Sequence, residues 1–292
     1  MSDPAPPAID GSDDDVEAAD APLRPPSAAP RPAGSARLLG GAFAVFVLWT
    51  FVSALPRESS PPTLSADSCT PAPKSTDAVK VYLGNGCFWE RQWAYVRVEK
   101  GFGRDNASLT AKVGYAGGAS PPHGGTAVCY HTSDGRDYSW LGHAEAVQVL
   151  LDRARATEQM LTLAKDFFGS FQGSAGSRAR PDPMDRGAPY RSFVGLPGGM
   201  SSPLFPVFSS ANTLGMAIKP GHGHDADEFN TVWVYDSDKY PFFDGEVYHQ
   251  FHSNFFRSEG MPYGDDYVHG LWDKQKKACR IVETGCPESG HW

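Results

Sequence analysis

The stretch from residue 78 to residue 89, Ala78-Val79-Lys80-Val81-Tyr82-Leu83-Gly84-Asn85-Gly86-Cys87-Phe88-Trp89, decides how the rest of the chain is read. Residues 78–83 are a short β-prone run that Gly84-Asn85-Gly86 breaks. Residues 87–98 (CFWERQWAYVRV) follow with a helix-compatible pattern. A strand, a glycine turn and a helix in that order place Cys87 at or near a helix N-terminus. Unpaired amides and the helix dipole favour an anion there, so the spacing predicts a thiolate with a pKa below the ordinary value of ~8.5 and a nucleophile at neutral pH. The glycines let the backbone bend sharply and leave room beside the sulfur. The competing reading is a small buried core cysteine.

Outward from this turn the elements interleave. Leu109 to Tyr115 alternates like a strand, as does His143 to Leu151. From Thr157 to Phe168, Met160, Leu163, Ala164 and Phe167 mark one face of an amphipathic helix, and Thr231 to Tyr235 reads as another strand. Residues 77–292 therefore read as one α/β or α+β domain with long loops. The 40% hydrophobic content, with seven Trp, is enough for a sizeable core.

The first 76 residues differ. Residues 1–36 hold eight Pro, nine Ala and seven acidic side chains against Arg24 and Arg31, which is most of the net charge of −8. Such a segment cannot offset the entropy of ordering and is expected to be disordered. Leu38–Leu55 (LLGGAFAVFVLWTFVSAL) carries no charge, and its 18 residues at ~1.5 Å each span about 27 Å, close to a thin bilayer's hydrocarbon core. It is expected to be a single transmembrane helix. A cleaved signal peptide, with Val52-Ser53-Ala54 as its site, is the rival. The basic residues Arg24, Arg31 and Arg37 predict a cytosolic N-terminus and a translocated C-terminal domain. Residues 56–76, with five Pro, read as a linker. No basic surplus points to nucleic acid.

Five cysteines, at 69, 87, 129, 279 and 286, are an odd count, so one is unpaired or exchanges partners. Cys69 lies in the linker as a free or intermolecularly paired thiol. Cys279 and Cys286 lie in a polar tail with Gly285 and Pro287, where a thiol could swing to a distant catalytic cysteine; a local disulfide between the two is the alternative. No metal is expected, because neither has a Cys or His partner at ligand spacing. Gly221-His222-Gly223-His224-Asp225 reads as an exposed loop.

Five collinear segments carry a resemblance. Gly86-Cys87-Phe88-Trp89, Val113 to Gly118 (VGYAGG), Val128-Cys129 followed by Gly142-His143-Ala144-Glu145, Asp185 to Ser192 (DRGAPYRS), and Phe242 to Gln250 (FFDGEVYHQ) are similar, in order, to motifs of the methionine sulfoxide reductase A family. The resemblance spans roughly residues 79–286. It implies an α+β fold, a mixed sheet flanked by helices with a ferredoxin-like core, here preceded by the single transmembrane helix. It implies reduction of methionine-S-sulfoxide, free or in oxidised proteins or peptides, with no bound cofactor and an external dithiol such as thioredoxin.

Carried over residue by residue, Cys87 attacks the sulfoxide sulfur and becomes a sulfenic acid. Tyr115 and Tyr190 supply hydroxyls to the sulfoxide oxygen, and Asp185 orients the site. Phe88 and Trp89 hold the S-methyl group. Cys286 resolves the sulfenic acid, Cys279 passes the disulfide outward, and Cys129 is a packed core residue. There are departures. Ala127 stands where the family has its catalytic glutamate, so a replacement acid is expected among His131, Asp134, Asp137 and Glu145, with His131 favoured for its near-neutral pKa. Glu90 and Arg91 follow the motif where a small residue is usual, which puts an anion near the thiolate. Two other readings compete: a catalytically impaired relative that binds oxidised Met or forms mixed disulfides, and an acyl-transfer hydrolase using Cys87 with a histidine.

Overall fold

The computed structural model describes residues 77–121, 127–132, 135–171, 180, 185–252 and 266–288. The expected acidic tail (1–36), transmembrane helix (38–55) and linker (56–76) lie outside the described residues, as do Cys69 and Asp134. Among the described residues no helix is long and apolar enough to cross a membrane.

In chain order the elements are β1 (Ala78–Gly84), α1 (Phe88–Gly101), β2 (Lys112–Ala116), β3 (Ala144–Asp152), α2 (Ala156–Gly169), β4 (Phe193–Leu196), α3 (Phe205–Ser210), β5 (Ala217–Pro220), β6 (Thr231–Asp236), β7 (Phe243–Asp244) and α4 (Trp272–Lys277). Seven strands form one sheet in the order β5-β6-β4-β1-β3-β2-β7. Its centre, β4-β1-β3-β2, is antiparallel and is connected βαββαβ through α1 and α2, the split arrangement of a ferredoxin-like core. Beyond it, β6 pairs parallel with β4, and β5 parallel with β6, so the sheet is mixed. The four strands and two helices expected from periodicity are all present.

The pleat assigns the faces. Val81 and Leu83 of β1, Val113 and Tyr115 of β2, and Val147, Val149 and Leu151 of β3 join Tyr95, Val96, Met160, Leu163 and Phe167 of the two helices in the main core. Tyr82, Ala116, Ala144, Ala146, Phe193 and Tyr235 point the other way into a smaller cluster. Glu145 is in register opposite Tyr115 and so faces the helices from the last turn of the sheet before the glycine bend. Arg191, fully buried, donates to the Tyr235 hydroxyl (2.9 Å) and to the carbonyls of Ala188, Gly117 and Gly142 (2.8–3.0 Å), and so joins three loops at that end.

Gly84 closes β1 where nothing larger fits. A Cβ there would run into the Phe193 ring and approach the Glu145 carbonyl oxygen at 2.5 Å. Gly84→Ala is expected to destabilise the domain by about 2 kcal/mol, read from the urea midpoint.

Candidate active site

Cys87 is the N-cap residue of α1, and no side chain of the usual capping kind bonds the helix start. Two carboxylates brought from far along the chain cap it instead. The Cys87 N–H donates to Asp185 Oδ2 at 2.8 Å and the Phe88 N–H to Glu145 Oε2 at 2.9 Å. Gly86 adopts φ +97°, and a Cβ on it would stand 2.7 Å from Asp185 Oδ2. Its N–H donates to the Tyr190 carbonyl at 3.1 Å, so the turn also holds the 185–190 segment.

Burial reverses the expected shift of the thiol, and the capping acids add to it. Burial pushes the Cys87 pKa well up, the Glu145 and Asp185 carboxylates add to the rise, and only the Trp89 and Glu90 amides pull it down. The helix end favours an anion, but the carboxyls of Asp185 and Glu145 already occupy its first amides. Glu90 is not the group responsible; its carboxylate pairs with Arg91 at 2.7 Å.

Glu145 is a buried acid bonded to the Cys87 turn. It is buried, accepts from Phe88 N–H and from the Tyr138 hydroxyl (3.3 Å), and burial pushes its pKa to about 8. Burial biases it toward the protonated form, and whenever it is ionised it raises the pKa of Cys87, Tyr130, Tyr138 and Tyr190 alike, so it is central to the cluster. His131, the favoured candidate, packs edge-on to Tyr130 at 4.7 Å, and Asp137 accepts from Ser139 and Trp140 in its own turn. Of the described candidates, Glu145 is the one that bonds an amide of the Cys87 turn.

Tyrosines line the rest. Tyr115 donates to Glu246 Oε2 at 2.6 Å and stacks on Tyr138 at 4.7 Å; Tyr130 stacks on Tyr138 at 5.3 Å. Tyr115 is fully buried and committed to Glu246, whereas Tyr190 and Tyr130 are half-buried with raised pKa values, to about 12 for Tyr130, both from burial first. Phe88 is buried against Tyr115 and His249, and half-buried Trp89 stacks on His252 at 4.0 Å. Burial holds His249 neutral, its pKa pushed down to about 3. Gln250 donates to the Val113 and Gly245 carbonyls and accepts from Val113 N–H, which fixes the 245–251 segment and with it Glu246. Tyr130, Tyr138 and Glu246 had not been singled out from the sequence. For Glu246 the signal was its place in the Phe242–Gln250 motif; for the tyrosines, only their position beside Cys129.

The tail differs from expectation. Cys286 is bonded to Cys129 with a Cα–Cα distance of 5.6 Å, a separation usual for disulfides, so Cys129 is not a plain core residue. Cys279 is disulfide-bonded as well, which excludes a local Cys279–Cys286 bridge. Among the described residues Cys87 is the free cysteine. The closest metal-like group among them is Cys129, Glu246 and Cys286, and its two sulfurs are already spent on each other. The Gly221–Asp225 loop is structural: Asp225 accepts from Tyr235 (2.7 Å) and from the His222 and Gly223 amides. A cavity of about 640 Å³ opens beside Asp185, lined by Arg180, Asp227, Phe229 and Met216.

No protein-family model matches the chain, and no curated protein matches it. Among solved structures it is similar to Mxr1 from Saccharomyces cerevisiae in reduced form, with a TM-score of 0.37 and 21% identity over 60% of this chain and 84% of that one. It is similar also to methionine sulfoxide reductase A of Corynebacterium diphtheriae, with a TM-score of 0.37 and 17% identity over 66% of this chain and 80% of that one.

Two measurements check the electrostatics. Cys87 alkylation by iodoacetamide is expected to keep rising through pH 9, with no plateau near neutrality, and Glu145→Gln to move the profile to lower pH. The folded Glu145 binds its proton more tightly than the unfolded chain does, so its contribution to stability falls as pH rises from about 4.5 to about 8. Urea unfolding across that window should show a smaller loss in Glu145→Gln than in the unmodified chain.

Proposed function

We propose that this chain is a thiol-dependent reductase of methionine sulfoxide, acting on the S epimer, free or peptide-bound, with Cys87 as nucleophile. The observation that carries the reading is a free cysteine set at a helix start whose first two amides are held by the carboxyls of Asp185 and of the buried Glu145, whose pKa burial pushes up to about 8. Reducing a sulfoxide requires a nucleophile for sulfur and a proton source for the departing oxygen. Cys87 Sγ attacks the sulfoxide sulfur. Glu145 supplies the proton, with the half-buried Tyr190 and Tyr130 hydroxyls facing the oxygen. The S–O oxygen ends on Cys87 as a sulfenic acid, and methionine leaves. Asp185 fixes the Cys87 backbone, Tyr115 orders Glu246 and the aromatic wall, and Phe88 and Trp89 bound the place for the S-methyl group. No cofactor takes part; an external dithiol returns the enzyme to the reduced state.

The rival reading, an impaired relative that only binds oxidised methionine, draws its support from Ala127. Against it stands Glu145, a buried acid bonded to the turn of the nucleophile, with its pKa pushed up to about 8. An acyl-transfer hydrolase finds little support, since His249, the histidine packed against Phe88, is buried and keeps no basicity near neutrality.

The full chain in mild detergent, with dithiothreitol, is expected to reduce methionine-S-sulfoxide and leave the R epimer. Cys87→Ser should abolish turnover, and Glu145→Gln should lower kcat/KM by about 100-fold. His131→Ala should stay within about twofold if Glu145 is the acid. No S-epimer reduction by the unmodified chain would sink the proposal in favour of the impaired relative. The proposal also keeps Leu38–Leu55 as a membrane anchor, with the N-terminus cytosolic and residues 77–292 across the membrane. The chain should then sediment with carbonate-washed membranes, and its release into the wash would remove the anchor.

A further inference from the structure

The Cys129–Cys286 disulfide is linked to the nucleophile's helix turn through two packed rings, those of Tyr130 and His249. Cys129 is pinned on both sides: its carbonyl accepts from Tyr138 N–H at 2.8 Å, and the next residue, Tyr130, donates its N–H to Glu246 at 2.6 Å. The Tyr130 ring packs on His249 at 4.6 Å, and His249 packs on Phe88 at 5.3 Å, one residue from Cys87. Both sulfurs lie within 4.8 Å of the Glu246 carboxylate that also receives the Tyr115 hydroxyl. On the tail side, the Glu288 carboxylate accepts the Val247 and Tyr248 amides at 3.0 Å, which seats Cys286 against the same segment. A purely structural bridge has no need of this address, and Cys87 beside it is a thiol.

We propose that Cys129 and Cys286 form the redox couple that takes the oxidising equivalent from Cys87, and that Cys129, not Cys279, is where it leaves the chain. The inference rests on the reductase reading and identifies the last protein sulfur in its cycle. After methionine leaves, the Cys286 thiolate attacks the Cys87 sulfenic sulfur; an S–S bond forms and the oxygen departs as water. The Cys129 thiolate then attacks Cys286 Sγ, which forms the observed bond and returns Cys87 as a thiol. This end state is the one in the structure, with Cys87 free and Cys129 bonded to Cys286. Cys129 is half-buried and Cys286 buried, so an external dithiol meets Cys129 first. One of its thiolates attacks Cys129 Sγ and displaces Cys286. Its second thiol attacks the mixed disulfide, frees Cys129 and leaves the dithiol oxidised.

The test uses the fully reduced full chain, freed of reductant and given one equivalent of methionine-S-sulfoxide or, in parallel, of hydrogen peroxide. Peroxide forms the Cys87 sulfenic acid without a sulfoxide. Peptide mapping is expected to find the Cys129–Cys286 linkage in both arms, with Cys87 again open to alkylation. Cys87→Ser should slow that linkage by about tenfold or more under peroxide. In Cys129→Ser the equivalent should stop at a Cys87–Cys286 linkage, and turnover driven by thioredoxin should fall by about tenfold or more. Oxidation that stays on Cys87 while Cys129 and Cys286 remain alkylatable in the unmodified chain overturns the couple, and that observation needs no variant to fold. So does thioredoxin turnover of Cys129→Ser at the unmodified rate. Linkage in the peroxide arm with no methionine in the sulfoxide arm supports the couple and overturns the reductase reading alone.

Discussion

Two buried carboxylates hold the first amides of α1, and the architecture around them follows from that requirement. A helix start leaves N–H groups that must be satisfied, and in a buried place an orphan costs about 1–3 kcal/mol. Here Asp185, from the segment before β4, takes the Cys87 amide, and Glu145, from the start of β3, takes the Phe88 amide. The helix can therefore begin at Cys87 only when the sheet register is set and the 185–190 turn is in place. The positive φ of Gly86 and the bond from its amide to Tyr190 close the same corner. Folding and site assembly are one event at this point.

The same arrangement decides the chemistry. Burial first, and the neighbouring capping acids second, bias the thiol and Glu145 toward their protonated forms. Tyr115, Tyr130, Tyr138, Phe88 and His249 pack ring against ring beside them.

Strand, glycine turn and helix at Cys87 were legible because their periods change over a dozen residues, and the long elements β3 and α2 were legible for the same reason. The four-residue strands β4 and β5 carry no period long enough to read. The sign of the Cys87 shift was hidden, because burial, its largest cause, is a property of the folded chain, and the acids that add to it stand 58 and 98 residues away. His131 was favoured by nearness along the chain, whereas Glu145 is near across the ladder, opposite Tyr115. The Cys129–Cys286 bond joins residues 157 apart, and no spacing rule encodes such a pairing.

The margins of the sheet have a consequence of their own. An unpaired strand edge is a template for a second chain, and both edges here are poor ones. β7 runs for only two residues. β5 ends in Pro220, which has no N–H to offer, and it carries Lys219, paired with Glu228 at 2.5 Å. Among the described residues, neither end of the sheet offers a second copy a long strand to pair with.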